Sequence, residues 1–265
     1  MLRAFYGKVM FFGEHPQLLV YIIVCPLVFL AGFVDSIAGG GGLISLPAYM
    51  IAGLPSHNAI ATNKLSSTMG TSISVYRYAK NGFMPWKEAL VCAIFAILGS
   101  QGGARLSLLI GDEILKIIML VLLPLTAVFV MSKKSLKEAP EELPFGKTLF
   151  LSVCVALVMG FYDGFYGPGT GAFLLLFLTA VAKMKLTTAN GITKAINFSS
   201  NISALAVFLL GGKAIIPLGL TAGLFSILGN YLGSKTFIKK GVNIVKPVML
   251  TVLVICFIKI LSEIL

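Results

Sequence analysis

The sequence predicts an all-α integral membrane protein built from two homologous repeats, inverted relative to one another, with roughly eight to ten membrane segments. Three observations predict it. Hydrophobic residues make up 57% of the 265 positions and charged residues only 12%, against about a quarter charged in soluble domains. Apolar runs of membrane-crossing length recur along the whole chain. The second half repeats the first in register.

The runs, in order, are 18–38, 43–53, 59–79, 89–109, 114–131, 148–165, 172–182, 189–210, 216–235 and 245–261. Eight approach the length of about 20 residues that a helical span needs. Two, 43–53 and 172–182, are short; about eleven residues at 1.5 Å each cover little more than half of the hydrocarbon core. They are expected as re-entrant or broken helices. Ahead of the first run, Arg3 and Lys8 precede a weakly amphipathic stretch without a small-residue cleavage site, so this run is read as retained. One long polar segment, 132–147, divides the chain into a first membrane repeat, 1–131, and a second, 148–265.

The halves match position by position. Gly32-Phe33-Val34-Asp35 corresponds to Gly160-Phe161-Tyr162-Asp163 at an offset of 128. Glycine-rich turns follow both, Gly39-Gly40-Gly41-Gly42 and Gly167-Pro168-Gly169-Thr170-Gly171. Beyond them the offset becomes 130, pairing Lys64 with Lys194, Gly82 with Gly212, Gly99 and Gly103 with Gly229 and Gly233, and Gly111 with Gly241. If each half crosses the membrane an odd number of times, thirteen loop lysines and arginines fall on the side of segment 132–147 and six on the other. An even number leaves eleven against eight. The positive-inside rule therefore favours inverted repeats, a cytoplasmic linker and external termini.

The net charge of +11 is accounted for by lysines at membrane edges. No basic patch with interleaved aromatics is present, so a nucleic-acid partner is not expected. Cys25, Cys92, Cys154 and Cys256 each stand alone in an apolar run, and His15 and His57 are far apart; neither a metal site, a disulfide framework nor any cofactor is expected. The absence of a H-E-x-x-H motif, paired histidines or an acidic cluster argues against an enzyme, and without a phosphate-binding loop energy must come from a gradient or a partner. The glycine pairs 99/103 and 229/233 are expected to let helices approach closely.

The candidate site lies at the breaks. Of ten acidic residues, only Asp35 and Asp163 sit inside apolar runs, and each precedes a glycine turn by four residues. An ionisable group there costs about 2.5–3.5 kcal/mol on insertion scales. Two readings stand side by side: a carboxylate satisfying backbone donors freed by the turn, or a proton-coupling or gating group. Gly39, Gly40, Gly41 and Gly42 in one half, and Gly167 and Gly169 with Thr170 in the other, interrupt helices and bare the backbone. The short helix after each break would offer free N–H groups to an anion, and matched interruptions in two halves point to a transporter's binding site. Lys64 and Lys194 sit in polar stretches with Asn63 and Asn197. They either snorkel to the interface or face inward, paired with the aspartates or with a bound anion.

On these residues the sequence resembles the sulfite exporter TauE/SafE family, over about 18–261. Its carriers are Gly32-Phe33-Val34-Asp35-Ser36-Ile37-Ala38-Gly39-Gly40-Gly41-Gly42 and Ala61-Thr62-Asn63-Lys64. The echoes Gly160-Phe161-Tyr162-Asp163-Gly164, Gly167-Pro168-Gly169-Thr170-Gly171 and Thr193-Lys194 complete them. The resemblance implies a bacterial inner-membrane permease for sulfur-containing anions such as sulfite, thiosulfate or an organosulfonate. The expected mode is secondary, gradient- or proton-coupled transport by alternating access. A channel-like anion conduit, or a carrier of a non-sulfur anion, is the alternative. The expected partners are a small anion and the lipid bilayer, with a homodimer as an option. The two turns differ, all glycine against Gly-Pro-Gly-Thr-Gly, so the halves need not contact a ligand equally.

Overall fold

The computed structural model describes residues 16–132 and 143–244, and among these the regular structure is entirely helical. The first half contains α1 (Pro16–Ala38), α2 (Gly42–Ile51), α3 (Ser56–Lys80), α4 (Trp86–Leu109) and α5 (Asp112–Ser132). The second contains α6 (Phe145–Phe165), α7 (Thr170–Ala180), α8 (Leu186–Leu210) and α9 (Ile216–Lys240), then a 3₁₀ turn, Gly241–Ile244. The repeat is thus visible as α1/α6, α2/α7, α3/α8 and α4/α9. The linker is shorter than read from sequence, because Ser132 closes α5 and Phe145 already opens α6. The N-terminal stretch with Arg3, Lys8 and His15, the run 245–261 with Cys256, and the middle of the linker lie outside the described residues.

Both breaks form where sequence places them. α1 closes with the Gly39 N–H on the Asp35 carbonyl at 2.8 Å, and Gly39 takes φ +76°. Gly167 and Gly169 take φ +98° and +81°. These are left-handed conformations that a Cβ disfavours. α2 and α7 then run for 10 and 11 residues, about 15–17 Å, too short to cross a bilayer alone.

Packing exchanges the halves. α4 lies on α6 and α8, while α9 lies on α1 and α3, and α3 and α8 meet in the middle. Glycines permit the contact, as expected. A Cβ on Gly99 or Gly103 would strike the α6 backbone at Leu157 and Phe161, and one on Gly229 or Gly233 the α1 backbone at Phe29 and Phe33. The contacts also fix direction. Gly99 meets Leu157 and Phe161 while Gly103 meets Phe161 and Phe165, so α4 runs parallel to α6. Gly229 meets Phe29 and Gly233 meets Phe33, so α9 runs parallel to α1; Leu65 meets Gly219 and Met69 meets Gly223, so α3 follows the same direction.

Among the described residues, five helices, α1, α4, α6, α8 and α9, are long and apolar enough to cross a membrane. Their outward faces carry large apolar side chains, such as Leu90, Ile94 and Leu98 on α4 and Leu220, Leu224 and Leu228 on α9. At 25 residues α3 matches them in length but not in apolarity, its polar character extending beyond the stretch around Lys64 to Thr71 and Ser74. Its buried face is polar, with Thr62, Asn63, Lys64, Ser66, Thr71 and Ser74 turned into the protein. One charge-assisted tie holds its start: the Asp112 carboxylate at the head of α5 accepts the Ser56 and His57 backbone N–H groups at 3.3 and 3.0 Å. It also meets His57 Nδ1 at 2.8 Å. His57 is therefore a buried residue held by this tie. Cys25, Cys92 and Cys154 are free thiols.

Candidate functional site

The two breaks meet. A Cβ on Gly39 would fall on the backbone of Gly171, and one on Gly42 would stand 3.0 Å from the Cα of Pro168. Hence the glycines serve close approach of two main chains as well as the turn itself. Neither short helix is capped by a side chain at its start. The Leu43, Ile44 and Thr170 N–H groups there bond the Gly40, Gly41 and Gly167 carbonyls, and the two starts bring partial positive charge to one place.

A small cavity of about 30 Å³ opens there. Asp35, Gly39, Gly41 and Gly42 line it from the first half, with Asn63 and Lys64 from α3. The second half contributes Asp163, Gly167, Gly169 and Thr170, with Asn197 from α8. Gly40 and Lys194 do not reach its wall. Sequence reasoning had not assigned Thr71, Ser226 and Asn230, nor Ser67 and Asn201 within the flagged polar stretches, and all five line the cavity.

The lysines do not snorkel. Lys64 is 2% exposed and Lys194 fully buried, and each pairs with the aspartate of the other half. Lys64 Nζ lies 2.8 Å from Asp163 Oδ2. Lys194 Nζ donates to the main-chain carbonyl of Asp35 and stands 3.4 Å from its Oδ2. Burial of a lone charge is prohibitive, so each ion accounts for the other. The two pairs together carry no net charge. Lys64 presents its ammonium at the cavity beside Gly167, where a Cβ would approach Nζ to 3.1 Å. Lys194 sits behind Asp35.

The wall carries neutral polar groups that are bonded to one another or to Ser74 outside the lining. Ser74 Oγ donates to Asn230 Oδ1 at 2.7 Å, and Asn230 Nδ2 donates to the Ser226 carbonyl at 3.0 Å. Asn201 Nδ2 donates to Asn197 Oδ1 at 3.2 Å. The wall thus sets the Lys64 ammonium and its paired Asp163, with Asp35, among two helix starts and a shelf of amides and hydroxyls.

The family model described as sulfite exporter TauE/SafE matches residues 24–260. The chain belongs to the TauE/SafE family. It is 36% identical over 247 residues to the probable membrane transporter protein ORF9 of Sinorhizobium sp, covering 93% of this chain and 94% of that protein. It is 33% identical over 239 residues to the probable membrane transporter protein YfcA of Escherichia coli K12, covering 88% and 87%. A probable membrane transporter protein of Haemophilus influenzae is 32% identical over 231 residues, covering 87% and 90%. No solved structure matches. This TauE/SafE chain is accordingly a membrane transporter, and the described cavity lies inside the family match.

Proposed function

We propose that this transporter moves a small sulfur-containing anion, such as sulfite, thiosulfate or an organosulfonate, by secondary transport with alternating access of two inverted halves around the cavity. The observation that carries the proposal is the exchanged pairing of Lys64 with Asp163 and Lys194 with Asp35 at the meeting point of two uncapped broken helices. Each pair bridges the halves, so movement of one half against the other must remake it. That is the property an alternating-access site requires.

Inversion is supported by helix direction. α3 and α4 are joined by the five residues 81–85, a turn that sends two long helices back past each other. Because α1 and α3 follow α9 while α4 follows α6, the equivalent helices α1 and α6 point in opposite directions. The thirteen-to-six distribution of loop cations supports a cytoplasmic linker, in the bacterial inner membrane that the family resemblance implies. In this reading Lys64, the helix starts and Asn63, Asn197 and Thr170 hold the anion, with Lys194 acting through Asp35, and a proton at an aspartate couples the movement.

The test is a thermal-shift screen of the purified protein with sulfite, thiosulfate, sulfate, sulfoacetate and taurine. A ligand that prefers the folded state raises the midpoint, by about 2.7 kcal/mol of stabilisation at a hundred times Kd. At least one sulfur anion is expected to do so. No shift with any of them would remove sulfur anions as the substrate class.

A further inference from the structure

We propose that the two aspartates have divided roles: Asp35 takes up one proton when the anion binds, while Asp163 stays ionised as the fixed counter-ion of Lys64. The inference rests on the transporter reading above and deepens it. Its motivation is a difference between half-sites that the repeat makes equivalent.

Asp163 is held on one oxygen by two donors, Lys64 Nζ at 2.8 Å and Ser200 Oγ at 2.6 Å. At the offset of 130 that pairs Lys64 with Lys194, the position equivalent to Ser200 is Gly70. Gly70 supplies no hydroxyl, and its space is filled by Ser226 and Asn230. Asp35 is left with Lys194, whose ammonium stands 3.4 Å from the carboxylate and bonds the Asp35 main-chain carbonyl instead. Charge-assisted N–H···O bonds run at about 2.7–2.9 Å, so the Asp163 contact is a made bond and the Asp35 contact is a loose one. The Asp35 side chain is also the more open, 12% exposed against 3% for Asp163.

Consequently protonation has different effects at the two places. A proton on Asp163 would strip Lys64 of its partner and set a neutral acid against the Ser200 hydroxyl. A proton on Asp35 leaves Lys194 its carbonyl acceptor and puts an O–H donor on the cavity wall. The other charged or titratable groups around Asp35 do not replace this role. Tyr78 of α3 already donates its hydroxyl to the Ser36 carbonyl, Lys64 and Asp163 hold each other across the cavity, and α9 presents only neutral Ser226 and Asn230 there. With Asp35 ionised the four charges cancel. With Asp35 protonated the site carries one net positive charge, so anion and proton each favour the other's binding.

The experiment measures protons taken up from weakly buffered detergent solution as thiosulfate, which does not titrate near neutral pH, binds the full-length protein. Carboxylic-acid C=O absorption is followed in parallel by infrared difference spectroscopy. The expected result is uptake of about one proton per bound anion and a new C=O band in the wild type, both lost in Asp35→Asn, with the band frequency unmoved in Ser200→Ala, which removes the hydroxyl bonded to Asp163. Binding without uptake in the wild type, or a band that survives in Asp35→Asn or shifts in Ser200→Ala, would overturn the inference and leave the transporter reading standing. If Asp35→Asn does not fold, the wild type and Ser200→Ala decide between the same outcomes. Failure of thiosulfate, sulfate and sulfoacetate to bind at all would remove the sulfur-anion reading of the site, and this inference with it.

Discussion

Replacing Lys64 by Met keeps most of the side-chain volume and removes the charge. Asp163, 2% exposed, would keep Ser200 as its one hydrogen-bond donor on Oδ2. Breaking a buried pair from one side costs about 3–5 kcal/mol, since the remaining charge is uncompensated, whereas replacing both partners by apolar groups of similar volume is close to neutral. Lys64→Met is therefore expected to lose about 3–5 kcal/mol, and the double variant Lys64→Met/Asp163→Leu to regain most of it. Asp35→Asn is expected to cost less, about 1–3 kcal/mol, because Lys194 retains the Asp35 main-chain carbonyl. Reversible denaturation in detergent micelles measures the ladder. A Lys64→Met protein within about 1 kcal/mol of wild type, or a double variant as unstable as the single, would refute the pairing as drawn.

Two further expectations concern the backbone. Gly39→Ala combines a left-handed φ of +76° with a Cβ driven into the Gly171 backbone, so strain and overpacking together should cost about 2–6 kcal/mol. Gly53→Ala, at φ +87° but facing open space, should cost the strain alone, about 1–3 kcal/mol; equal midpoints for the two variants would contradict the close approach of the breaks. Asp112→Ala removes the acceptor that holds the start of α3 and the His57 ring. It should cost about 1–3 kcal/mol, read as a lowered thermal midpoint, and no loss would show that the tie is not formed.

The repeat, the breaks and the buried ion residues were legible in sequence for physical reasons. Only glycine serves at Gly39, Gly167 and Gly169, and an aspartate in an apolar run is too costly to be incidental. Which lysine meets which aspartate was not legible, because equivalence of Lys64 with Lys194 says nothing about whether partners lie in the same half. The exchange follows from α4 lying on α6 and α9 on α1, a consequence of glycine contacts over long sequence separations. Ser226 and Asn230 escaped notice because single polar residues four apart in an apolar helix look like small-residue packing. Their alignment with the glycines of α9 was the available signal. The polarity of α3 was visible as composition, yet composition alone left open whether Lys64 snorkels or faces inward.

The most direct test of the central claim is thiosulfate or sulfite uptake into proteoliposomes, comparing wild type with Lys64→Met. The account predicts saturable flux that responds to an imposed proton gradient and is abolished by Lys64→Met. Flux that rises linearly with concentration, or that the variant carries unchanged, would contradict an anion site at the meeting point of the two broken helices.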